Sequence, residues 1–171
     1  MGMLVLGVDP GTAITGYGLV REDDGELTLA ACGAITTSAD QPLAERLAII
    51  YRRLWELIAE HRPQAVAVEQ LFFSRNVRTA LAVGQARGVA LLAAAHAHVP
   101  VYEYTPLQVK QAIVGYGRAD KVQVQEMVRV VLRLDAVPQP DDAADAVAVA
   151  VCHLHSARLL NLLASQEGER P

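Results

Sequence analysis

Four acids in this chain stand where an acid is costly to place. Leu4 to Tyr17 reads LVLGVDPGTAITGY, an apolar run that reaches Asp9 and is ended at once by Pro10-Gly11. Val/Leu-rich runs bounded by Pro and Gly read as buried strands, which puts Asp9 at the end of an inner strand, against the core. The pattern recurs at Ala65 to Glu69 (AVAVE), where a second apolar run closes on a carboxylate. A third instance is Asp141-Asp142-Ala143-Ala144-Asp145, followed directly by AVAVAV. Asp142 and Asp145 are three apart and project from one helical face; Asp141 is expected to cap that helix. Acids in a first turn also suit the helix dipole, but that does not account for Asp145 leaning into a buried segment.

A charged, unpaired carboxylate at the edge of a core is strongly destabilising, and a divalent cation is the compensation that fits four of them. All-oxygen ligands suit Mg²⁺ or Mn²⁺ rather than zinc. Two such ions ~4 Å apart can activate a water and stabilise the leaving oxygen of a phosphodiester. The chemistry expected is metal-assisted phosphodiester hydrolysis.

The elements that must bring these acids together follow from hydrophobic period and turn signals. Met3–Asp9, Thr15–Arg21 and Glu26–Ile35 read as an antiparallel meander, with Glu-Asp-Asp-Gly at 22–25 as a hairpin turn. Pro42 opens a helix to His61 in which Leu43, Leu47, Ile50, Leu54, Leu57 and Ile58 keep helical spacing. The strand at Ala65–Glu69 follows. A strand–helix–strand crossover is normally right-handed and parallel, so Asp9 and Glu69 are expected at neighbouring carboxyl ends, where open α/β sheets place their sites.

Gln70–Val77 reads as a loop and Arg78–Ala97 as a helix that is apolar nearly all round. Such a helix is either sandwiched in the core or covered by another subunit. Val99–Tyr104 is a fifth strand. Pro106–Val114 and Lys121–Leu134 read as helices separated by the basic turn GYGRAD, and Asp141 to Leu163 as the last helix. No linker or repeat divides the chain, so one domain is expected over residues 1–165, with 166–171 as a polar tail.

The net charge of −4 argues at first against nucleic acid, but its distribution does not. The window Leu71–Leu134 holds eight basic residues against three acidic ones, a surplus of five, which leaves −9 for the rest of the chain. Such asymmetry is the footprint of a polyanionic partner. The chain has thirteen arginines and only two lysines, Lys110 and Lys121, both in this window. A compact ammonium in place of a planar guanidinium fork suggests a confined role for each. No apolar run reaches the roughly 18 residues of a membrane span, and no basic stretch precedes the first strand as in a signal peptide. Cys32 and Cys152 match no metal spacing and read as reduced core thiols of a cytoplasmic protein. His153 and His155 read as packing or surface residues, and His96 and His98 as residues closing a helix.

Taken in order, GVDPGTAITGYG, AVEQLFF, LAVGQARGVA, YTPLQVKQAIVGYGRADKVQVQ and PDDAADAVAVAVCHLH resemble the RuvC-type Holliday junction resolvases, over nearly the whole chain. The resemblance implies an α/β RNase H-like fold, with a five-stranded mixed sheet flanked by helices. It also implies a homodimer that nicks two opposed strands of a four-way DNA junction symmetrically, with Mg²⁺ as cofactor, two ions per active site and Mn²⁺ as a substitute. Delivery of the junction by a RuvAB-type branch-migration complex is a further implication. On the matched motifs the metal carboxylates fall on Asp9, Glu69, Asp142 and Asp145, and the basic residues near the scissile phosphate on Lys110 and Lys121. Phe72 falls where the family has an aromatic that stacks into the opened junction. Phe73, Arg75, Asn76, Arg78 and Arg118 complete the expected DNA-binding set: an aromatic among Arg and Asn on a loop suits base stacking with phosphate contact.

Three other readings compete. The first strand and Gly-Thr turn also resemble the phosphate loop of actin-like ATPases and sugar kinases, but those need two related domains and a second copy of the loop. An RNase H acting on a hybrid, or a transposase-like nuclease, would keep the fold and change the substrate. A non-catalytic junction-binding subunit would not need four converging acids.

Overall fold

The computed structural model describes residues 2–70 and 76–167, with side chains described as far as residue 159. Five strands form one sheet: β1 (Met3–Asp9), β2 (Ile14–Asp23), β3 (Glu26–Thr36), β4 (Ala65–Glu69) and β5 (Val101–Tyr104). Their order is β3-β2-β1-β4-β5. The meander β1-β2-β3 is antiparallel, whereas β4 and β5 join parallel to β1. This is the mixed sheet expected from the sequence.

Side chains on a strand alternate between faces, and two separate cores follow from that alternation. Leu4, Leu6, Val8, Val66 and Val68 point to the side covered by α1 (Leu43–His61) and α2 (Val77–His96). Val5, Ala65 and Ala67 point to the side covered by α3 (Pro106–Val114), α4 (Lys121–Val131) and α5 (Asp141–Glu167). Asp9 and Glu69 continue the second series, so both carboxylates leave the sheet on the α5 face.

The first half of α5 is the buried spine of that face: from Ala143 to Leu154 only Asp145 is not buried. Its first turns lie close on the sheet because β1 and β2 carry glycines beneath them, at Gly7, Gly16 and Gly18. A methyl group at Gly16 would collide with the carbonyl oxygen of Asp142, one at Gly7 with that of Ala146, and one at Gly18 with Val147. Glycine inside a strand often marks such a close approach.

The helix ends differ from expectation in one informative place. Asp141 does not cap α5: it is the first helical residue, and the amides of Ala143 and Ala144 donate to the carbonyl of Pro140. Its carboxylate is left to act elsewhere. α3 and α4 each begin with a capping box, Thr105 with Gln108 and Asp120 with Gln123, which fixes the first turn of both lysine-bearing helices.

Candidate metal centre and nucleic-acid face

Asp9 and Glu69 each lie one residue past the parallel pair Val8–Val68. They end adjacent strands side by side and share a hydrogen bond in which Asp9 donates to Glu69. The first turns of α5 bring Asp142 and Asp145 over the same edge. Burial pushes the Asp9 carboxyl up from 3.8 to about 8, reinforced by the negative charges of Glu69, Asp145 and Asp142. Burial also raises Glu69; Asp145 adds to that, while Lys121 and Lys110 oppose it. A carboxylate driven this far is the signature of like charges sharing a desolvated site.

The two lysines reach the same edge from α3 and α4. Lys110, Lys121, Glu69 and Asp145 line a cavity of about 190 Å³ whose apolar walls are Pro106, Val109, Val124 and Ala148. Lys121 Nζ lies 2.8 Å from Asp145 Oδ2 and 3.6 Å from Asp141 Oδ2. The hydrogen bond to Asp145 raises its pKa, so it stays protonated.

The donor set fits Mg²⁺ or Mn²⁺ in kind and in charge: four carboxylates in one electrostatic field, with no soft ligand among them. Among the described residues, no three acids, histidines or cysteines are drawn close enough to hold an ion as they stand. A proton on Asp9 and the ammonium of Lys121 meet part of the charge instead.

The remaining expected DNA contacts divide. Arg78 and Arg118 are exposed, the latter in the turn between α3 and α4. Asn76 caps α2, its side chain accepting from the amides of Arg78 and Thr79. Phe72, Phe73 and Arg75 lie outside the described residues. His153 packs as expected, buried on α5 with Nδ1 2.8 Å from the Tyr104 hydroxyl, and His155 binds the carbonyl of Ala112. Burial pushes the Cys152 thiol up to about 11, consistent with an inert core thiol.

Two supports for the site escaped sequence reasoning. Glu103 on β5 is ion-paired with Arg87 of α2 and accepts from Gln70, the residue after Glu69, at 3.5 Å. The Gln70 amide also donates to Tyr104 at 2.7 Å. Gln70, just past Glu69, is thus held from β5. The glycines at 7, 16 and 18 were a visible signal, since glycine inside a strand often marks a close backbone approach, and here α5 makes it.

Comparison with known proteins is consistent over nearly the whole chain. The family model described as crossover junction endodeoxyribonuclease RuvC matches residues 5–153. A crossover junction endodeoxyribonuclease RuvC of Roseiflexus sp. (strain RS-1) is 61% identical over 155 residues, covering 91% of this chain and 92% of the relative. The structure of T. thermophilus RuvC in complex with Holliday junction substrate superimposes with a TM-score of 0.85 at 40% identity, covering 92% of this chain and 96% of that one. The yeast mitochondrial Holliday junction resolvase Ydc2 shares the fold, with a TM-score of 0.64 at 14% identity, covering 88% of this chain and 77% of that one.

Proposed function

The chain belongs to the RuvC family of crossover junction endodeoxyribonucleases, and from that premise we propose how its own residues carry out the reaction. It is a structure-selective endonuclease that resolves Holliday junctions by hydrolysing DNA phosphodiester bonds, on an RNase H-like fold.

Asp9, Glu69, Asp142 and Asp145 are the residues that would hold two Mg²⁺ ions, or Mn²⁺ in their place. When bound, the pair supplies an activated water and stabilises the leaving oxygen. The observation that carries this reading is Asp9, held protonated up to about pH 8 by burial and by the three other acids. Its proton must leave for a cation to enter. Lys110 and Lys121 stand on the cavity wall beside Glu69 and Asp145, where ammonium groups can hold the scissile phosphate against the acids. Arg78 and Arg118 add phosphate contacts that set register without reading sequence. Phe72, with Phe73, Arg75 and Asn76, would engage the opened junction from the loop after Glu69.

The proposed assembly is a homodimer. Val77, Leu81 and Leu92 are exposed to 70%, 63% and 47% along one stripe of α2. Gly84 and Gly88 lie between them, and a methyl added at either would meet nothing within 4 Å. An apolar stripe with two gaps suits a second copy of the same helix, and a two-fold axis would present two sites to two strands of like polarity. The RuvAB-type branch-migration complex and a cytoplasmic setting belong to the same proposal. No described helix is long and apolar enough to cross a membrane.

The test is cleavage of a synthetic four-way junction beside a linear duplex and an RNA–DNA hybrid, in Mg²⁺ and in Mn²⁺, with Asp9→Asn as control. Paired symmetric nicks in the junction alone, lost in Asp9→Asn while binding persists, support the proposal. Full cleavage by Asp9→Asn, or cleavage without a divalent ion, would sink it.

A further inference from the structure

Lys121 occupies an unusual position for a cation. It is the first residue of α4, where the helix dipole disfavours positive charge, and the Asp120 capping box fixes its backbone there. Its side chain spans to another helix, with Nζ 2.8 Å from Asp145 and 3.6 Å from Asp141. Asp141 and Asp145 are four apart on α5, on one face, and Asp141, freed from capping, is the more exposed of the two. Asp145 is also one of the four acids assigned to the metal.

We propose that Lys121 and a divalent cation are alternative partners of the Asp145 carboxylate, and that Asp141 is the positioning residue that keeps the displaced ammonium in the cleft. The inference rests on the metal-site reading above and deepens it. An ammonium ion-paired at 2.8 Å takes up lone pairs and charge that a cation needs, so the two partners oppose each other. The four-carbon stem of lysine turns without moving the helix, and Asp141 lies within its reach from the same anchored Cα. The displaced ammonium then stays on the cavity wall it shares with Lys110, where the scissile phosphate is expected. Lys121 thereby meets part of the acids' charge before the cation enters and faces the substrate afterwards.

The experiment is calorimetric titration of the full chain with Mn²⁺, comparing wild type with Lys121→Met, Lys110→Met, Asp141→Asn and the Lys121→Met/Asp141→Asn double variant. Thermal melts establish that each is folded, and Lys121→Gln repeats the key measurement with a polar side chain. Competition predicts that Lys121→Met lowers the Mn²⁺ Kd roughly three- to tenfold, a range set by partial exposure of the pair. Lys110→Met removes an equal charge from the same wall and should shift it less. Asp141→Asn should weaken Mn²⁺ binding in wild type and much less once Lys121 is gone. An unchanged Kd in Lys121→Met, an equal effect at Lys110, or an Asp141→Asn effect that is the same in both backgrounds would overturn the inference while leaving the metal site standing. Absence of Mn²⁺ binding by wild type, or binding undiminished by Asp145→Asn, would overturn the metal reading and this inference with it.

Discussion

Gly16 of β2 lies directly under the backbone of Asp142, so close that the carbonyl oxygen of Asp142 fills the space a methyl group would need. Gly16 is also the cross-strand partner of Asp9. One glycine therefore sets the height of the first turn of α5 above the end of β1, and with it the spacing between Asp9 and the two aspartates.

Gly16→Ala is accordingly expected to lift the start of α5. Overpacking of this kind costs about 1–3 kcal/mol, a moderate fall in Tm. Cleavage should fall by at least about tenfold, because displacement of catalytic groups by ~1 Å is costly. Melting and single-turnover cleavage at a temperature where the variant is folded separate the two effects; wild-type cleavage would refute the spacing argument.

The raised pKa of Asp9 has a consequence for stability. Without metal the folded protein holds a proton on Asp9 up to about pH 8, whereas the unfolded chain releases it near 3.8. The folded state binds more protons in that interval, so this group's contribution is complete below about pH 4 and is lost as pH rises through 8. Chelator-treated wild type should lose Tm between neutral pH and pH 8.5, and Asp9→Asn should lose less. Mg²⁺ should raise the wild-type Tm more at pH 8.5 than at pH 6, since the cation replaces the proton.

His153 offers a stability test away from the chemistry. Burial lowers its pKa, which favours the neutral ring; Nδ1 shares a hydrogen bond with the Tyr104 hydroxyl, while Nε2 is buried with no hydrogen-bond partner. Tyr104→Phe strips the one bond the ring makes and should cost about 1–2 kcal/mol in denaturant unfolding. His153→Phe keeps much of the volume and removes the buried nitrogen that has no partner, so its cost should be smaller. The opposite ranking would show that the hydrogen bond contributes little.

The dimer proposal predicts that Leu81→Glu, on the exposed stripe of α2, gives a monomer by sedimentation with little change in Tm. The monomer should lose paired nicking of the junction while its carboxylates still bind Mn²⁺. A variant that remains dimeric would place the interface elsewhere.

Much of this molecule is legible in the sequence. Asp9 and Glu69 each end a run of apolar residues, and the crossover rule brings those ends together, because strand period and connection handedness are local properties of the chain. The sheet and the order of the helices follow from the same signals, and the family from the motifs. The tertiary structure decided what local pattern cannot carry. Asp141 looked like a cap, but it is the first residue of α5, the cap position falls on Pro140, and the Asp141 carboxylate faces Lys121. That pairing joins residues twenty positions apart on helices whose mutual placement depends on packing across the sheet. The depth of α5 depends on glycines in strands far from it in sequence, and the pKa of Asp9 on charges brought in from β4 and α5. Such interactions are set by distance in space, and only the packed core determines that.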